Sequence, residues 1–375
     1  MYNINMDSIK NITIITPNLK YKDASGGAFT RNFLINEWEK IGINVCAYNP
    51  PVILNDFTFY EILKGTLKVL FSKLRRDDCV IKSNILVTFD PYPIDVVTAL
   101  RLSKKFNIPC VIYLHHIPPN ILFHPFRRGI FRVILNRFYF RFLLALIQHY
   151  RVPIFLDNPN TGKGLNVKVY PDLVALNTTI NVSNTNYKKY DICYVGGLGK
   201  HKGVEDIIYV LNILKNKYNI NVKAVLVGKG RKKYVEKLIK KIKKYNLQNN
   251  VTLTGFVEEE TKWQILSESK IFLFLSYEEG WSVSVMEAAS LGIPIIAYDL
   301  PAYYYLGGNF FKVKPGDIKT VAQYIVNILE NYEEALKIGT KAKESVKKFN
   351  QTFIAKQQLI FYKRIIEDYK RYVHR

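Results

Sequence analysis

The chain writes one pattern twice, and that repetition limits the folds open to it. In the first half, an apolar strand at Ile12–Ile15 leads into a glycine-bearing loop, Tyr21–Gly27, and a helical stretch, Ala28–Lys40. Strands follow at Ile43–Tyr48, Ile85–Phe89 and Cys110–Leu114, with helical spacing near Ile94–Lys105. The second half restarts with a strand at Ile192–Val195, a glycine loop and a helix at Val204–Tyr218. It continues as strand Val222–Val227, basic helix Lys232–Tyr245, strand Val251–Thr254, helix Glu258–Ser267, strand Ile271–Leu275, strand Pro294–Tyr298 and a helix from Asp317. A long helical stretch, Gln351–Tyr372, ends the chain. Strands that alternate with helical patterns call for a parallel sheet with crossover helices, an α/β architecture. A length of 375 residues suits two such domains. The polar run between Leu176 and Lys189 reads as their connection. The expected division is 1–180, 187–350 and a C-terminal helix, 351–375.

Composition narrows the partners. The formal net charge of +23 asks for an anionic one: phosphate, an acidic membrane surface or nucleic acid. No zinc-finger, RRM or KH pattern supports nucleic acid. Met1–Lys10 lacks an apolar signal core, and no run of apolar residues is long enough to span a bilayer. Cys46, Cys79, Cys110 and Cys193 are far apart, without metal-ligand spacing. They read as buried thiols of a reducing compartment, hence a cytoplasmic protein.

Two acids carry the sharpest chemical hint. Glu279 follows the apolar run Ile271–Leu275, and Glu287 sits inside the amphipathic run that begins at Val283. The loop between them lies at the carboxyl end of a strand, where open α/β sheets bind ligands. Carboxylates there accept hydrogen bonds from hydroxyls and stabilise a developing cation, which suits sugar chemistry. Ser284-Val-Met-Glu287 equally fits a capping box, in which Glu287 only finishes a helix. Glu279 equally fits a solvated loop acid.

Other loops fall at comparable places. Gly196-Gly-Leu-Gly-Lys-His-Lys-Gly203 follows a strand and opens a helix. Glycines let the backbone approach a phosphate, the helix N-terminus offers free N–H groups, and Lys200 and Lys202 add charge. The segment matches neither a P-loop nor a full dinucleotide fingerprint, and a tight turn explains it as well. Gly26-Gly27 repeats this logic. In Tyr113-Leu-His115-His116-Ile-Pro-Pro119, His116 is placed to face a ligand, since imidazole bonds sugar hydroxyls or phosphate near neutral pH. No further metal ligands are evident beside the two histidines, and no Asp-x-Asp pair occurs in the chain.

Phe123–Ile147 spreads Arg127, Arg128, Arg132, Arg137 and Arg141 among aromatic and aliphatic residues, with no acid between Ile121 and Leu156. That composition suits an anionic lipid interface. At helical spacing the arginines cover more than half the circumference, so an internal helix lining a groove is the alternative.

Taken in order, these segments resemble a GT-B glycosyltransferase of the GT4 type, the retaining group 1 family. The resemblance rests on Gly26-Gly27, His116, Gly196-Gly197-Leu198 with Lys202-Gly203, Gly228-Lys-Gly230, Gly255-Phe-Val257, and Glu279 to Glu287 running on to Ala288-Ala-Ser-Leu-Gly-Ile-Pro294. It is specific in the second half and loose in the first. It implies two Rossmann-like domains facing across a cleft, with the last helix crossing back to the N-terminal domain. By this resemblance Glu279, His116 and Lys202 form the catalytic set, with Lys202 on the leaving diphosphate. Glu287 would hold the ribose, Phe256 and Val257 would meet the base, and Gly27, Gly197, Lys200, Gly228, Gly280, Trp281 and Ser282 would line sugar and phosphate. Arg127, Arg128, Arg132 and Arg137 would meet the membrane or acceptor. Two places depart: the family pairs an arginine with the lysine across the diphosphate, and Gly197 stands there, while Pro301-Ala-Tyr-Tyr-Tyr-Leu-Gly-Gly308 lacks the family's glycine-then-acid pattern. The implied activity is transfer of a sugar from a nucleotide sugar to a lipid-linked or glycan acceptor, at the cytoplasmic face of a membrane, without metal or other cofactor. The rivals are a related nucleotide-sugar epimerase and a degenerate, non-catalytic binding protein.

Overall fold

The computed structural model describes the chain except residues 1–8, 17–25, 53–58, 116–129, 158–161, 173, 177–184 and 374–375; at 26–30, 59–60, 130–137 and 373 it describes the backbone alone. The chain divides into two compact units, Met1–Ala175 with Gln351–Arg375, and Leu176–Asn350.

The first unit holds strands β1 (Asn11–Ile15), β2 (Asn44–Tyr48), β3 (Ile85–Thr88), β4 (Cys110–His115), β5 (Ile154–Leu156) and β6 (Val169–Pro171). They form one parallel sheet in the order β2-β1-β3-β4-β5-β6. Its helices are α1 (Gly26–Lys40), α2 (Phe59–Phe71), α3 (Asp78–Ile81), α4 (Pro93–Phe106) and α5 (Ile130–His149). The central strands are buried nearly throughout, as Ile85, Leu86 and Val87 show, which explains why they read as continuous apolar runs. The chain's last helix, α12 (Gln351–Val373), belongs to this unit. Trp38 Nε1 donates to the Ala355 carbonyl at 3.2 Å, and the Tyr113 and Tyr362 hydroxyls lie 2.7 Å apart. Tyr113 stacks on Phe155 with centroids 4.4 Å apart, so aromatic packing ties α12 to the sheet.

The second unit repeats the plan with β7 (Tyr190–Val195), β8 (Ala224–Val227), β9 (Val251–Gly255), β10 (Ser269–Phe274), β11 (Ile295–Tyr298) and β12 (Phe311–Val313). Its parallel order is β12-β11-β10-β7-β8-β9. The helices are α6 (Val204–Lys217), α7 (Lys232–Lys244), α8 (Glu259–Ser267), α9 (Val283–Ser290), α10 (Ile318–Glu330) and α11 (Tyr332–Val346). In each sheet the winding reverses once: between β1 and β3 in the first, and between β7 and β10 in the second. These switch points leave crevices at the carboxyl ends of the strands.

The expectation of four separate thiols fails for two of them. Cys46 of β2 and Cys79 of α3 form a disulfide, while Cys110 and Cys193 are free and buried. A sequence separation of 33 conceals the proximity, which arises because α3 packs against β1 and β2.

Candidate active site

The switch point of the second sheet gathers most of the residues singled out above. β7 ends at Val195, and the chain passes through Gly196–Gly199 into a single helical turn, Lys200–Lys202. β10 ends at Phe274 and reaches α9 through residues 275–282. The two loops are stitched together: the Tyr277 amide donates to the His201 carbonyl at 2.8 Å, and the Ser276 hydroxyl donates to the same oxygen at 3.3 Å. Gly203 has φ +65°, and a Cβ there would stand 1.8 Å from the Leu275 carbonyl oxygen. Only glycine allows that approach.

Across this junction Lys202 Nζ and Glu279 Oε1 form an ion pair of 2.6 Å. The Glu279 side chain is 6% exposed, so it is no solvated loop acid; the Lys202 side chain is 23% exposed. Three buried tyrosines, Tyr194, Tyr303 and Tyr305, surround the acid. Their hydroxyls are pushed well above the usual phenol range by burial first and by the Glu279 charge second. Beneath the loops, the buried Asp206 accepts from the hydroxyls of Tyr277 and Tyr298, the latter at 2.8 Å.

Glu287 is 3% exposed. Helix α9 is capped by Ser282, whose backbone is extended and whose hydroxyl accepts from the Val285 amide at 3.4 Å. Ser284 lies inside the helix, so the capping box that would have made Glu287 a helix-finishing residue does not form. Instead Glu287 Oε1 accepts from Lys262 Nζ at 2.7 Å, and the same ammonium holds Glu259 at 2.8 Å. Burial pushes the Glu287 carboxyl up to about 7, with Lys262 opposing the rise.

A cavity of about 420 Å³ opens beside the pair, lined by Gly197, Leu198, His201, Lys202, Lys229 and Arg231 among others. Its volume suits a small molecule and its charge suits an anion. The glycines around it differ in purpose. At Gly228, φ is +142° and a Cβ would meet the Gly196 carbonyl oxygen at 1.9 Å, so that glycine serves packing between the ends of β7 and β8. At Gly197 the nearest atom to an added Cβ is the Lys229 carbonyl oxygen, 3.9 Å away. Lys200 is exposed on the same turn, and Lys229 Nζ lies 4.6 Å over the half-exposed Phe256 ring, beside Val257. Trp281 stacks on Tyr305 at 4.5 Å, and Tyr305 donates to the Ser282 carbonyl at 3.0 Å, so this part of the loop, with Gly280, rests on an aromatic floor.

The first unit has its own cluster. Arg31, buried on α1, pairs with Asp90 at 2.9 Å across the β1/β3 switch point. Gly27 lies in the first turn of α1, where backbone amides have no intrahelical acceptor. His116, Arg127 and Arg128 lie outside the described residues, and of Arg132 and Arg137 only the backbone, in α5, is described. The neighbouring His115 ends β4 in the left-handed region, φ +59°. Its Nδ1 lies 2.9 Å from Asp172 and its Nε2 lies 2.7 Å from the Phe89 carbonyl oxygen. Burial opposes a charged ring, but contact with Asp172, the Asp157 charge and the Phe89 carbonyl outweigh it and raise the pKa to about 9. Among the described residues, His115, Asp157 and Asp172 are grouped closely enough to hold a metal ion. The expectation of no further ligands beside the histidines is thereby corrected, because Asp157 and Asp172 are distant from His115 in sequence.

The profile of the family described as glycosyl transferases group 1 matches residues 177–345. Residues 177–345 carry a glycosyl transferases group 1 domain. The group 1 domain thus coincides with the unit that contains the Lys202–Glu279 pair. A 2-deoxystreptamine N-acetyl-D-glucosaminyltransferase of Niallia circulans is 30% identical over 166 residues, 43% of this chain and 42% of that one. The O-antigen chain mannosyltransferase of Salmonella typhimurium is 26% identical over 245 residues, 61% of this chain and 68% of that one. The chain spans about half the length of several curated relatives it matches. Among solved structures, Anabaena HepE in complex with UDP and glucose superposes with a TM-score of 0.67 at 16% identity, covering 95% of this chain and 100% of that one. The fold is GT-B: two Rossmann-like units, each built on a parallel sheet.

Sequence reasoning missed Lys262, Asp206 and the tyrosines that line the acids. Lys262 stands three residues after Glu259, which reads as an ordinary helix-surface pair. No signal in the sequence reveals that it also reaches Glu287.

Proposed function

We propose that the chain is a retaining, metal-independent glycosyltransferase that moves a sugar from a nucleoside-diphosphate sugar to a lipid-linked or glycan acceptor at a membrane surface. The observation that carries this reading is the buried acid Glu279, paired with Lys202 at the switch point beside a cationic cavity. During transfer the bond from the sugar carbon to the diphosphate oxygen breaks, and its electron pair stays on the diphosphate. Lys202, with Lys229 and Arg231 on the cavity wall, neutralises that developing charge. Glu279 faces the carbon side, where a carboxylate stabilises the oxocarbenium-like centre. The acceptor oxygen then bonds to the same face of the sugar and gives its proton to the leaving phosphate oxygen. Retention is what the family resemblance implies. Glu287, with a carboxyl poised near neutrality, is suited to accept from ribose hydroxyls, with Lys262 holding it in place. Support for the donor comes from HepE, whose structure holds UDP and glucose. Support for a glycan acceptor comes from the O-antigen chain mannosyltransferase. The net charge of +23 supports an anionic membrane surface.

Glu279→Ala and Glu279→Gln test the reading in a transfer or donor-hydrolysis assay that follows release of nucleoside diphosphate, with EDTA present. Loss of turnover with the melting temperature retained is the expected result. Undiminished turnover would remove the pair from the mechanism, and turnover abolished by EDTA would remove metal independence.

A further inference from the structure

Helix α2 is apolar on two faces. Thr66 and Val69 are buried, and Val69 joins Ile94 and Val97 of α4 in a small core to which Leu146 of α5 adds. On the other face, Leu63, Leu67, Leu70 and Phe71 are all exposed, Phe71 to 87%. Their spacing of four, three and one residues places them on one stripe of the helix. Lys64 and Lys68 run along its flank, and Lys73, Arg75 and Arg76 follow directly after. The acid on this helix is Glu61, 3.7 Å from Lys64, and the acids that follow the basic run are Asp77 and Asp78. Helix α5 adds a second exposed apolar pair, Phe138 and Phe142, on either side of the exposed Arg141.

Scattered exposed leucines need no explanation, but a stripe of three leucines and a phenylalanine along one helix does. We propose that this face of α2, aided by Phe138 and Phe142, docks the protein on an anionic lipid bilayer, the apolar stripe entering the acyl boundary while Lys64 and Lys68 meet lipid phosphates. The inference rests on the membrane reading above and assigns it a surface that the arginine-rich segment alone did not. Charge complementarity selects the occupant. A second copy of the chain, itself at +23, would set lysine flank against lysine flank, whereas an anionic bilayer neutralises them. No helix among the described residues is long and apolar enough to cross a membrane, which leaves the interfacial mode for α2.

The test uses the full chain and vesicles of phosphatidylcholine with and without phosphatidylglycerol. The wild type is expected to float with the anionic vesicles and to be released by salt. Leu67→Glu with Phe71→Glu is expected to weaken partitioning by about tenfold or more, since it sets two charges in the acyl boundary, and to leave the melting temperature unchanged because both side chains are exposed. Leu67→Trp supplies an independent readout: its fluorescence should shift to the blue on anionic vesicles and be quenched by brominated lipid. If the wild type floats and the double variant floats equally well, with the introduced indole unquenched, the α2 assignment is wrong while the membrane reading stands. If the wild type does not float at all, both fail. If the double variant instead turns a dimer into a monomer in light scattering, with flotation unaltered, the stripe is a contact between copies and the proposal is overturned.

Discussion

Gly197 stands where the family that the sequence resembles pairs an arginine with the lysine, and it has room for that side chain. An added Cβ would have no atom closer than 3.9 Å, and the cavity beside it already carries Lys202, Lys229 and Arg231. Gly197→Arg should therefore fold normally and place a guanidinium on the wall where the diphosphate is proposed to sit. A charge-assisted hydrogen bond to phosphate is worth about 1.5–3 kcal/mol, and the exposure of the site to water brings the expected gain toward about 1–2 kcal/mol. That corresponds to about 5- to 30-fold tighter binding of a nucleoside diphosphate, measured by isothermal titration calorimetry. The gain should shrink as salt rises. Gly203→Ala is the control: its Cβ would lie 1.8 Å from the Leu275 carbonyl oxygen, so it should destabilise the unit and lose binding together with the fold. If Gly197→Arg melts like the wild type and binds nucleoside diphosphates no better, the diphosphate does not lie along residues 196–203, and the assignment of Lys202 to the leaving group fails with it.

Removing Lys202 strands a buried acid, so Lys202→Ala should cost about 2–3 kcal/mol, visible as a lower denaturation midpoint. Adding Glu279→Gln should restore most of that stability without restoring turnover, and two strictly additive losses would mean that the pair is not coupled. Glu287 gives a pH signature. Its folded pKa of about 7 lies above the ordinary 4.5, so its stabilising contribution is complete below pH 4.5 and is lost as pH rises through 7, amounting to about 3 kcal/mol. Glu287→Gln should flatten the stability profile across that window, and an unchanged slope would place the burial elsewhere. The Cys46–Cys79 bond closes a loop with a sequence separation of 33, worth about 4 kcal/mol by the chain-entropy argument. Dithiothreitol should lower the melting temperature, and four titratable thiols in the unreduced, unfolded protein would refute the bond.

The repeated strand–loop–helix pattern was legible because both sheets are parallel and covered by helices, which turns their central strands into unbroken apolar runs. The three-residue strands β5 and β6 lie below the length at which a pattern declares itself. Local chemistry alone did not separate Ser282 from Ser284 as the cap of α9. Both precede an apolar run, and the decision lies in the extended backbone of Ser282, with φ −117° and ψ 104°. Similarly, nothing in the sequence marks His115 as the partner of Asp172: the contact depends on the left-handed turn at the end of β4, which directs that ring onto an acid 57 positions away. The partners Lys262 of Glu287 and Cys79 of Cys46 were hidden for one reason: each contact depends on packing between elements distant in sequence, and neither residue stands out in its own segment.

The central claim is that the second unit binds a nucleoside-diphosphate sugar against Lys202, Glu279 and Glu287 and breaks it. The most direct measurement is a panel of nucleotide sugars followed by mass spectrometry for release of nucleoside diphosphate, run in parallel on the wild type and Glu279→Ala. The account predicts cleavage of at least one donor by the wild type, with the variant still binding that donor's nucleoside diphosphate but failing to cleave. No thermal stabilisation by any nucleotide in the panel, or equal cleavage by both proteins, would contradict it.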